Sequence, residues 1–252
     1  MPTSGLPSDT DSRPAQSAYL AATRTGTYGF LSALPLLVLY EVMITVANSG
    51  SARPVRISSE LWLKQIAALT GGTGLWILTG GVLAIGAAVL FVERKKKIPI
   101  RATYFTGIIA ESAVYAVLVA ALVSQMVAAV LLVAPGPQPQ HDLWTQIALS
   151  IGAGLYEELV FRVLLVGGLF WGLKRMVTSQ AGAYVTAAVV GALLFSFVHY
   201  TGAFGDPFAL DSFTFRFLFG LALNVLFLLR GFGVAAWTHA LYDVYFTFGL
   251  FG

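Results

Sequence analysis

The first long apolar stretch of the chain indicates that the protein lies in a membrane. Residues 28–48 read YGFLSALPLLVLYEVMITVAN and contain one charged side chain, Glu41. As a helix, this stretch would be about 30 Å long, which matches the hydrocarbon core of a bilayer. It therefore predicts a membrane-spanning helix. Six further stretches of this kind follow, near residues 73–92, 103–133, 143–172, 182–201, 213–230 and 233–251.

The composition of the whole chain agrees with a membrane protein. Of the 252 residues, 57% are hydrophobic and 11% are charged, whereas about a quarter of the residues in an average soluble domain are charged. Lipid accepts so much apolar surface and water does not, which excludes a soluble globular domain. We expect an all-α fold, a polytopic transmembrane helical bundle of about seven spans that encloses a polar cavity.

The distribution of polar residues predicts the domains and the orientation. Residues 1–20 are rich in Pro, Ser and Asp and are predicted to be a mobile polar tail, followed by one integral-membrane domain at residues 21–252. Basic residues near span ends favour a cytoplasmic N-terminus in a multi-pass protein of the cell membrane. They are Arg94, Lys95, Lys96, Lys97, Arg101, Lys174, Arg175 and Arg230. Three basic residues of the first outer loop, Arg53, Arg56 and Lys64, count against this orientation.

Charge and cysteine content exclude several classes of function. The net charge is only +3, and no basic groove extends along the chain, so nucleic acid is not expected as a partner. Cysteine is absent, which excludes a disulfide framework, a thiol protease and any cysteine-ligated metal.

The fourth span carries a cluster of ionisable side chains. The segment GLYEELVFRVLL at residues 154–165 contains Glu157, Glu158 and Arg162, although a charged group at mid-span costs about 2.5–3.5 kcal/mol. Glu158 and Arg162 are four residues apart and share a helical face, while Glu157 points about 100° away. The two carboxylates are therefore expected to have different tasks. A structural salt bridge between helices is the alternative interpretation.

Two further spans carry histidines. His199 follows Phe195 by four residues in the fifth span, and His239 shares a face with Asp243 in the seventh. Each histidine alone is compatible with a packing or interfacial role. Together with the fourth span, however, six unpaired groups would cost something like 15–20 kcal/mol in lipid. Contact around one common polar cavity removes most of that cost.

Three motifs in this order resemble a known family. They are EELVFR at residues 157–162, FSFVH at 195–199 and HALYD at 239–243. Together they resemble the CPBP (also called Abi) family of intramembrane proteases. That family includes type II CAAX prenyl endopeptidases and proteins linked to bacteriocin processing and self-immunity. The resemblance covers about residues 143–247, which it marks as the catalytic region.

The resemblance implies an intramembrane endopeptidase that hydrolyses a peptide bond in a peptide or a membrane-anchored protein. It implies that Glu157, helped by His199, activates the attacking water, and that Glu158 with Arg162 orients the site.

The resemblance also implies that His239 and the residue at position 243 face the oxyanion. Many family members have Asn where this chain has Asp243, and an ionised carboxylate cannot donate a hydrogen bond. Asp243 is therefore expected either to be protonated or to orient His239.

Cofactor and function each have open alternatives. Glu157, His199 and His239 together match the two-histidine, one-carboxylate ligand set of a catalytic zinc site. The family has been described both as metalloproteases and as glutamate proteases. We favour the metal-free form because no H-E-x-x-H helix is present. The alternatives to a protease are a proton-coupled transporter and a non-catalytic immunity or assembly protein that retains the pocket.

Overall fold

The computed structural model describes residues 15–50, 54–68, 74–131, 141–202 and 205–250. All regular secondary structure in these ranges is helical, which confirms the predicted fold class. The α-helices are α1 (Ala15–Thr23), α2 (Gly26–Ala47), α3 (Ser58–Ala68), α4 (Gly74–Glu93), α5 (Ala102–Ala128), α6 (Leu143–Glu158), α7 (Gly167–Leu173), α8 (Gln180–Val198), α9 (Leu210–Arg230) and α10 (Phe232–Thr247). A π-helix, Leu159–Val166, joins α6 to α7 without a break.

Four of the described helices are long and apolar enough to cross a bilayer: α2, α5, α8 and α9. They coincide with the first, third, fifth and sixth predicted spans. The other three predicted spans fall on α4, on the continuous segment α6–π–α7 and on α10, which has 16 residues. The bundle is therefore compatible with seven spans, and the protein is a multi-pass membrane protein.

Two segments differ from the sequence-based description. Helix α1 begins at Ala15, inside the stretch predicted to be a polar tail, and residues 1–14 lie outside the described ranges. Helix α3 lies where only a loop was expected between the first two spans. Its sequence, SSELWLKQIAA, has serines at the start and an ion pair between Glu60 and Lys64, one turn apart. These are ordinary signals of a helix.

Side chains at the helix starts explain several of the boundaries. Asp142 precedes α6, and its carboxylate accepts hydrogen bonds from the backbone N–H groups of Trp144 and Thr145. Ser179 caps α8 in the same way, because its hydroxyl accepts from the N–H of Gly182. Each cap satisfies backbone donors that the first turn of a helix leaves unpaired.

Close packing of α6 against α10 forms the centre of the bundle. Gly154 on α6 lies so close to α10 that a Cβ atom there would approach the carbonyl oxygen of Ala236 to 2.5 Å and the nitrogen of Ala240 to 2.6 Å. The contact therefore requires glycine. It brings the end of α6, with its two glutamates, against the face of α10 that carries His239.

Candidate active site

All six ionisable residues predicted for the site lie on the helices around the α6–α10 contact. Glu157 and Glu158 are the last residues of α6, and Arg162 lies in the π-helix that follows. His199 comes directly after the last residue of α8, and His239 and Asp243 lie one turn apart on α10. The structure thus brings three separate helices together at one place.

Glu158 and Arg162 form a buried ion pair, as the spacing predicted. Arg162 Nε lies 2.9 Å from Glu158 Oε2, and the two side chains are 1% and 0% exposed. Arg162 also donates from Nη2 to the carbonyl oxygen of Gly220, and its guanidinium lies 4.6 Å from the ring centroid of Phe195. The pair is therefore held between helices, with no access to solvent.

Glu158 also orients a histidine. Its second oxygen, Oε1, lies 2.7 Å from Nδ1 of His239, and both side chains are buried. An ionised carboxylate can only accept hydrogen bonds, so Nδ1 of His239 carries the proton. The other ring nitrogen, Nε2, then points away from Glu158.

Glu157 lies between the two imidazoles. Its Oε2 atom is 4.0 Å from Nε2 of His199 and 4.0 Å from Nε2 of His239. These distances are too long for direct hydrogen bonds and leave room for a polar atom between the groups. Glu158 thus bonds Arg162 and Nδ1 of His239, whereas Glu157 lies near Nε2 of both histidines.

The orientation of His199 follows from its own helix. Its Nδ1 lies 2.7 Å from the carbonyl oxygen of Phe195, one turn earlier. Because a carbonyl can only accept, Nδ1 of His199 is the donor, and in the neutral ring Nε2 keeps its lone pair. That lone pair faces the Glu157 carboxylate.

Asp243 extends the site along α10. Its Oδ2 atom lies 3.6 Å from Nε2 of His239, and its side chain is 29% exposed. Asp243 therefore lies on the same side of the His239 ring as Glu157.

Aromatic side chains surround the two imidazoles. The ring of Phe195 meets His199 edge to face at 5.0 Å and His239 at 6.0 Å, and Phe219 meets His239 at 5.3 Å. Phe195 therefore contacts both histidines, whereas the sequence motif linked it only to His199. These rings pack around the imidazoles and limit the positions that they can take.

A cavity of about 490 Å³ opens beside these groups. Glu157 and His199 line it, together with Trp62 and other residues of α3 and with Asp206 in the segment after α8. Sequence reasoning missed the contribution of α3 because residues 58–68 are short and polar compared with the spans around them.

An ion pair borders the cavity on the side of α9. Arg216 Nη2 lies 2.5 Å from Asp206 Oδ2, and the guanidinium lies 5.1 Å from the ring centroid of Tyr200. The backbone N–H of Asp206 donates to the carbonyl oxygen of His199 at 2.8 Å. The segment after α8 is thereby folded back over the histidine.

The imidazole nitrogens and the carboxylate at the site are of the types that bind zinc, but the distances between them are longer than a zinc site requires. In both histidines Nδ1 has a partner and Nε2 faces Glu157, which is the pattern of imidazoles that bind a metal. Ligands 2.0–2.2 Å from one zinc lie about 3.4 Å apart in a tetrahedron, closer than the 4.0 Å found here. Within the ranges that the structure describes, no three His, Asp or Glu side chains converge closely enough to hold one ion.

The part of the chain that contains the candidate site matches a known protein family. Residues 139–245 match the family model described as Type II CAAX prenyl endopeptidase Rce1-like. This region is similar to an Rce1-like domain. The matched residues overlap the segment 143–247 that the three motifs cover, and they include all six predicted site residues.

The family match supports an intramembrane protease of the CAAX kind. Nothing matches the chain among the curated proteins or among the solved structures. The Rce1-like region begins shortly before α6, so α1 to α5 lie outside it. The cavity wall formed by α3 is therefore a feature of the part of the chain that the family does not cover.

Proposed function

We propose that the protein is an intramembrane endopeptidase that hydrolyses a peptide bond in a peptide or in the tail of a membrane-anchored protein. The position of Glu157 carries this proposal. Its carboxylate lies at the wall of a cavity, 4.0 Å from the Nε2 atoms of two imidazoles on separate helices. A base and a second proton acceptor beside a water-accessible space are what amide hydrolysis requires.

In the proposed first step, Glu157 accepts a proton from water as the water oxygen bonds to the carbonyl carbon of the substrate. His199, with its Nε2 lone pair facing Glu157, holds the water in line. The carbonyl oxygen becomes an oxyanion. The C–N bond then breaks, and the proton held by Glu157 passes to the leaving amine.

His239 is proposed to stabilise the oxyanion. Donation from Nε2 requires the doubly protonated ring, because Nδ1 is already bonded to Glu158. Asp243, 3.6 Å from the same nitrogen, then balances the ring's charge and fixes its direction. Preorganised donors of this type commonly contribute factors of about 10²–10³ to turnover.

The test uses fluorescence-quenched peptides and purified protein in lipid nanodiscs. The peptides are prepared with and without a prenylated cysteine, since the family model is named for prenyl substrates. Wild-type protein is expected to cleave at least one peptide, and Glu157→Gln is expected to lower kcat at least about 10³-fold without lowering the Tm, because the amide cannot accept the proton of water.

Glu111→Gln on α5 is the matched control, since Glu111 is also a glutamate within a span, but it pairs with Arg230 and lies outside the cavity lining. It is expected to keep wild-type activity. Full activity of Glu157→Gln would contradict the assignment. Activity that a chelator abolishes and zinc restores would replace the metal-free mechanism with a metal-dependent one.

A further inference from the structure

Helix α3 forms the wall of the cavity that faces the proposed catalytic groups. Ser59, Trp62 and Gln65 on this helix line the same cavity as Glu157 and His199. A peptide that reaches Glu157 through this cavity therefore contacts α3 on the way.

Buried charges fix the position of α3. The Glu60 carboxylate is fully buried, and it pairs with Arg56 Nη1 at 2.6 Å and with Lys64 Nζ. It also accepts a hydrogen bond from the hydroxyl of Tyr40 on α2. The Tyr40 ring packs edge to face on Tyr156, the residue before Glu157, at 5.4 Å. The wall is thus tied to the helix that carries Glu157.

The apolar part of the cavity centres on Trp62. Its ring packs edge to face against Phe161 at 6.4 Å, and Phe161 lies four residues after Glu157. Leu61 and Val198 extend this apolar surface. It lies beside Glu157, the carboxylate that would activate the attacking water, so a substrate side chain next to the scissile bond would rest on Trp62.

Ser59 supplies a polar group on the same wall. Its side chain is buried at 1% exposure and lines the cavity, and its hydroxyl has no hydrogen-bond partner among the described residues. Buried hydroxyls without partners are costly and therefore rare. A peptide backbone in the cavity would offer the missing partner.

We propose that α3 selects the substrate: Trp62 sets the size of the apolar side chain accepted next to the scissile bond, and Ser59 hydrogen-bonds the substrate backbone. This inference rests on the proposed endopeptidase function. It goes beyond the family match, because α3 at residues 58–68 lies outside the matched residues 139–245.

The first test measures selectivity. The best-cleaved peptide is varied to Ala, Leu and Phe at each position flanking its scissile bond, and kcat/KM is compared for wild type, Trp62→Ala and Ser59→Ala. Trp62→Ala is expected to shift the Phe-to-Ala preference at one flanking position by about tenfold or more, because it enlarges the apolar pocket. Ser59→Ala is expected to raise KM about equally for all peptides without lowering the Tm.

The control is Trp144→Ala on α6, since Trp144 is 70% exposed and lies outside the cavity lining. It is expected to change neither selectivity nor KM. Unchanged selectivity in Trp62→Ala would overturn the inference. A uniform loss of activity of Trp62→Ala for all peptides would also overturn it, because that is the result of a purely structural role of Trp62.

A second test does not depend on turnover. Each peptide of the fluorescence-quenched set, whether or not it is cleaved, is given a benzoylphenylalanine at one position and is photo-crosslinked to the Glu157→Gln variant, and the labelled segment is identified by mass spectrometry. Label on residues 58–68 is expected. Label only elsewhere, with cleavage by wild type intact, would overturn the α3 assignment and leave the protease standing. Label on α3 without cleavage by wild type would overturn the protease and leave the binding wall standing.

Discussion

Adjacent glutamates in this protein have opposite surroundings. Glu158 is fully buried between Arg162 and His239, whereas Glu157 is 15% exposed and borders the cavity. The helical rotation of about 100° per residue accounts for the difference. Because Glu158 has no access to solvent, its contribution is to hold the guanidinium of Arg162 and the imidazole of His239 in place. Of the two glutamates, only Glu157 lines the cavity.

Loss of one member of the buried ion pair is expected to be costly. Arg162→Ala leaves the Glu158 carboxylate buried without its charged partner, so it is expected to lower the free energy of unfolding by about 3–5 kcal/mol. The double variant Arg162→Ala/Glu158→Gln is expected to be more stable than Arg162→Ala, because it removes the stranded charge. Chemical unfolding in mild detergent measures both.

Arg175→Ala is the control for this pair, since Arg175 is exposed and its side chain bonds the carbonyl oxygen of Trp171 and lies over the Trp171 ring. It is expected to change stability by about 1 kcal/mol or less. Wild-type stability of Arg162→Ala would show that the Glu158–Arg162 ion pair does not stabilise the fold.

Among the helices, the α6–π–α7 segment and α3 show which features can be predicted from the sequence and which cannot. Residue spacing predicted the Glu158–Arg162 pair, although Arg162 lies in a π-helix, where the backbone makes wider turns than in an α-helix. The π-helix itself was not predicted, because apolar periodicity does not distinguish wider helical turns over eight residues.

Helix α3 was missed for a different reason. Hydrophobicity over about 20 residues identifies spans, and α3 has 11 residues with buried Glu60 at its first turn. The partners of Glu60 come from α2, from Arg56 just before α3 and from the next turn of α3, so its burial depends in part on tertiary contacts that a single sequence does not display. The clustering of the six ionisable residues was predictable, because unpaired charge is costly in lipid whatever the details of packing.

The contact between α6 and α10 is predicted to control activity. Gly154→Ala would push a methyl group against the α10 backbone at Ala236 and Ala240. Overpacking of this kind costs about 1–3 kcal/mol. The displacement would separate Glu157 from His239, and kcat/KM is expected to fall about 10²-fold. Peptide cleavage and thermal unfolding measure the two effects.

Gly168→Ala on α7 provides the matched substitution, because a Cβ atom there meets nothing within 4 Å. It is expected to keep full activity and to be as stable as wild type or slightly more stable. Equal kcat/KM and equal stability of Gly154→Ala and Gly168→Ala would show that the close contact at Gly154 does not position the site.

Across the whole molecule, polar contacts gather at both ends of α2. One group joins the end of α2 to α3 and the cavity, as described for Glu60. The other lies near the start of α2, where Glu93 at the end of α4 accepts hydrogen bonds from the N–H and hydroxyl of Thr27 at 2.7 and 2.8 Å. Lys96 donates to its other oxygen at 2.7 Å. Helix α2 is therefore fastened to its neighbours by polar contacts on both sides of its middle.

The link at Glu93 gives the bundle a specific pH dependence. Burial alone would raise the pKa of this carboxyl, which lies just beyond the predicted second span, but hydrogen bonds from Lys96 and Thr27 hold its pKa below the usual 4.5. The folded state therefore favours the ionised form, so this stability is fully present above about pH 4.5 and is lost as pH falls through the lower folded-state pKa. Glu93→Gln is expected to be about 1 kcal/mol less stable than wild type at pH 7. That difference should shrink below pH 4.5, in unfolding curves measured in detergent from pH 3 to 7. A difference that stays constant down to pH 3 would show that the Glu93 charge does not contribute to the link between α2 and α4.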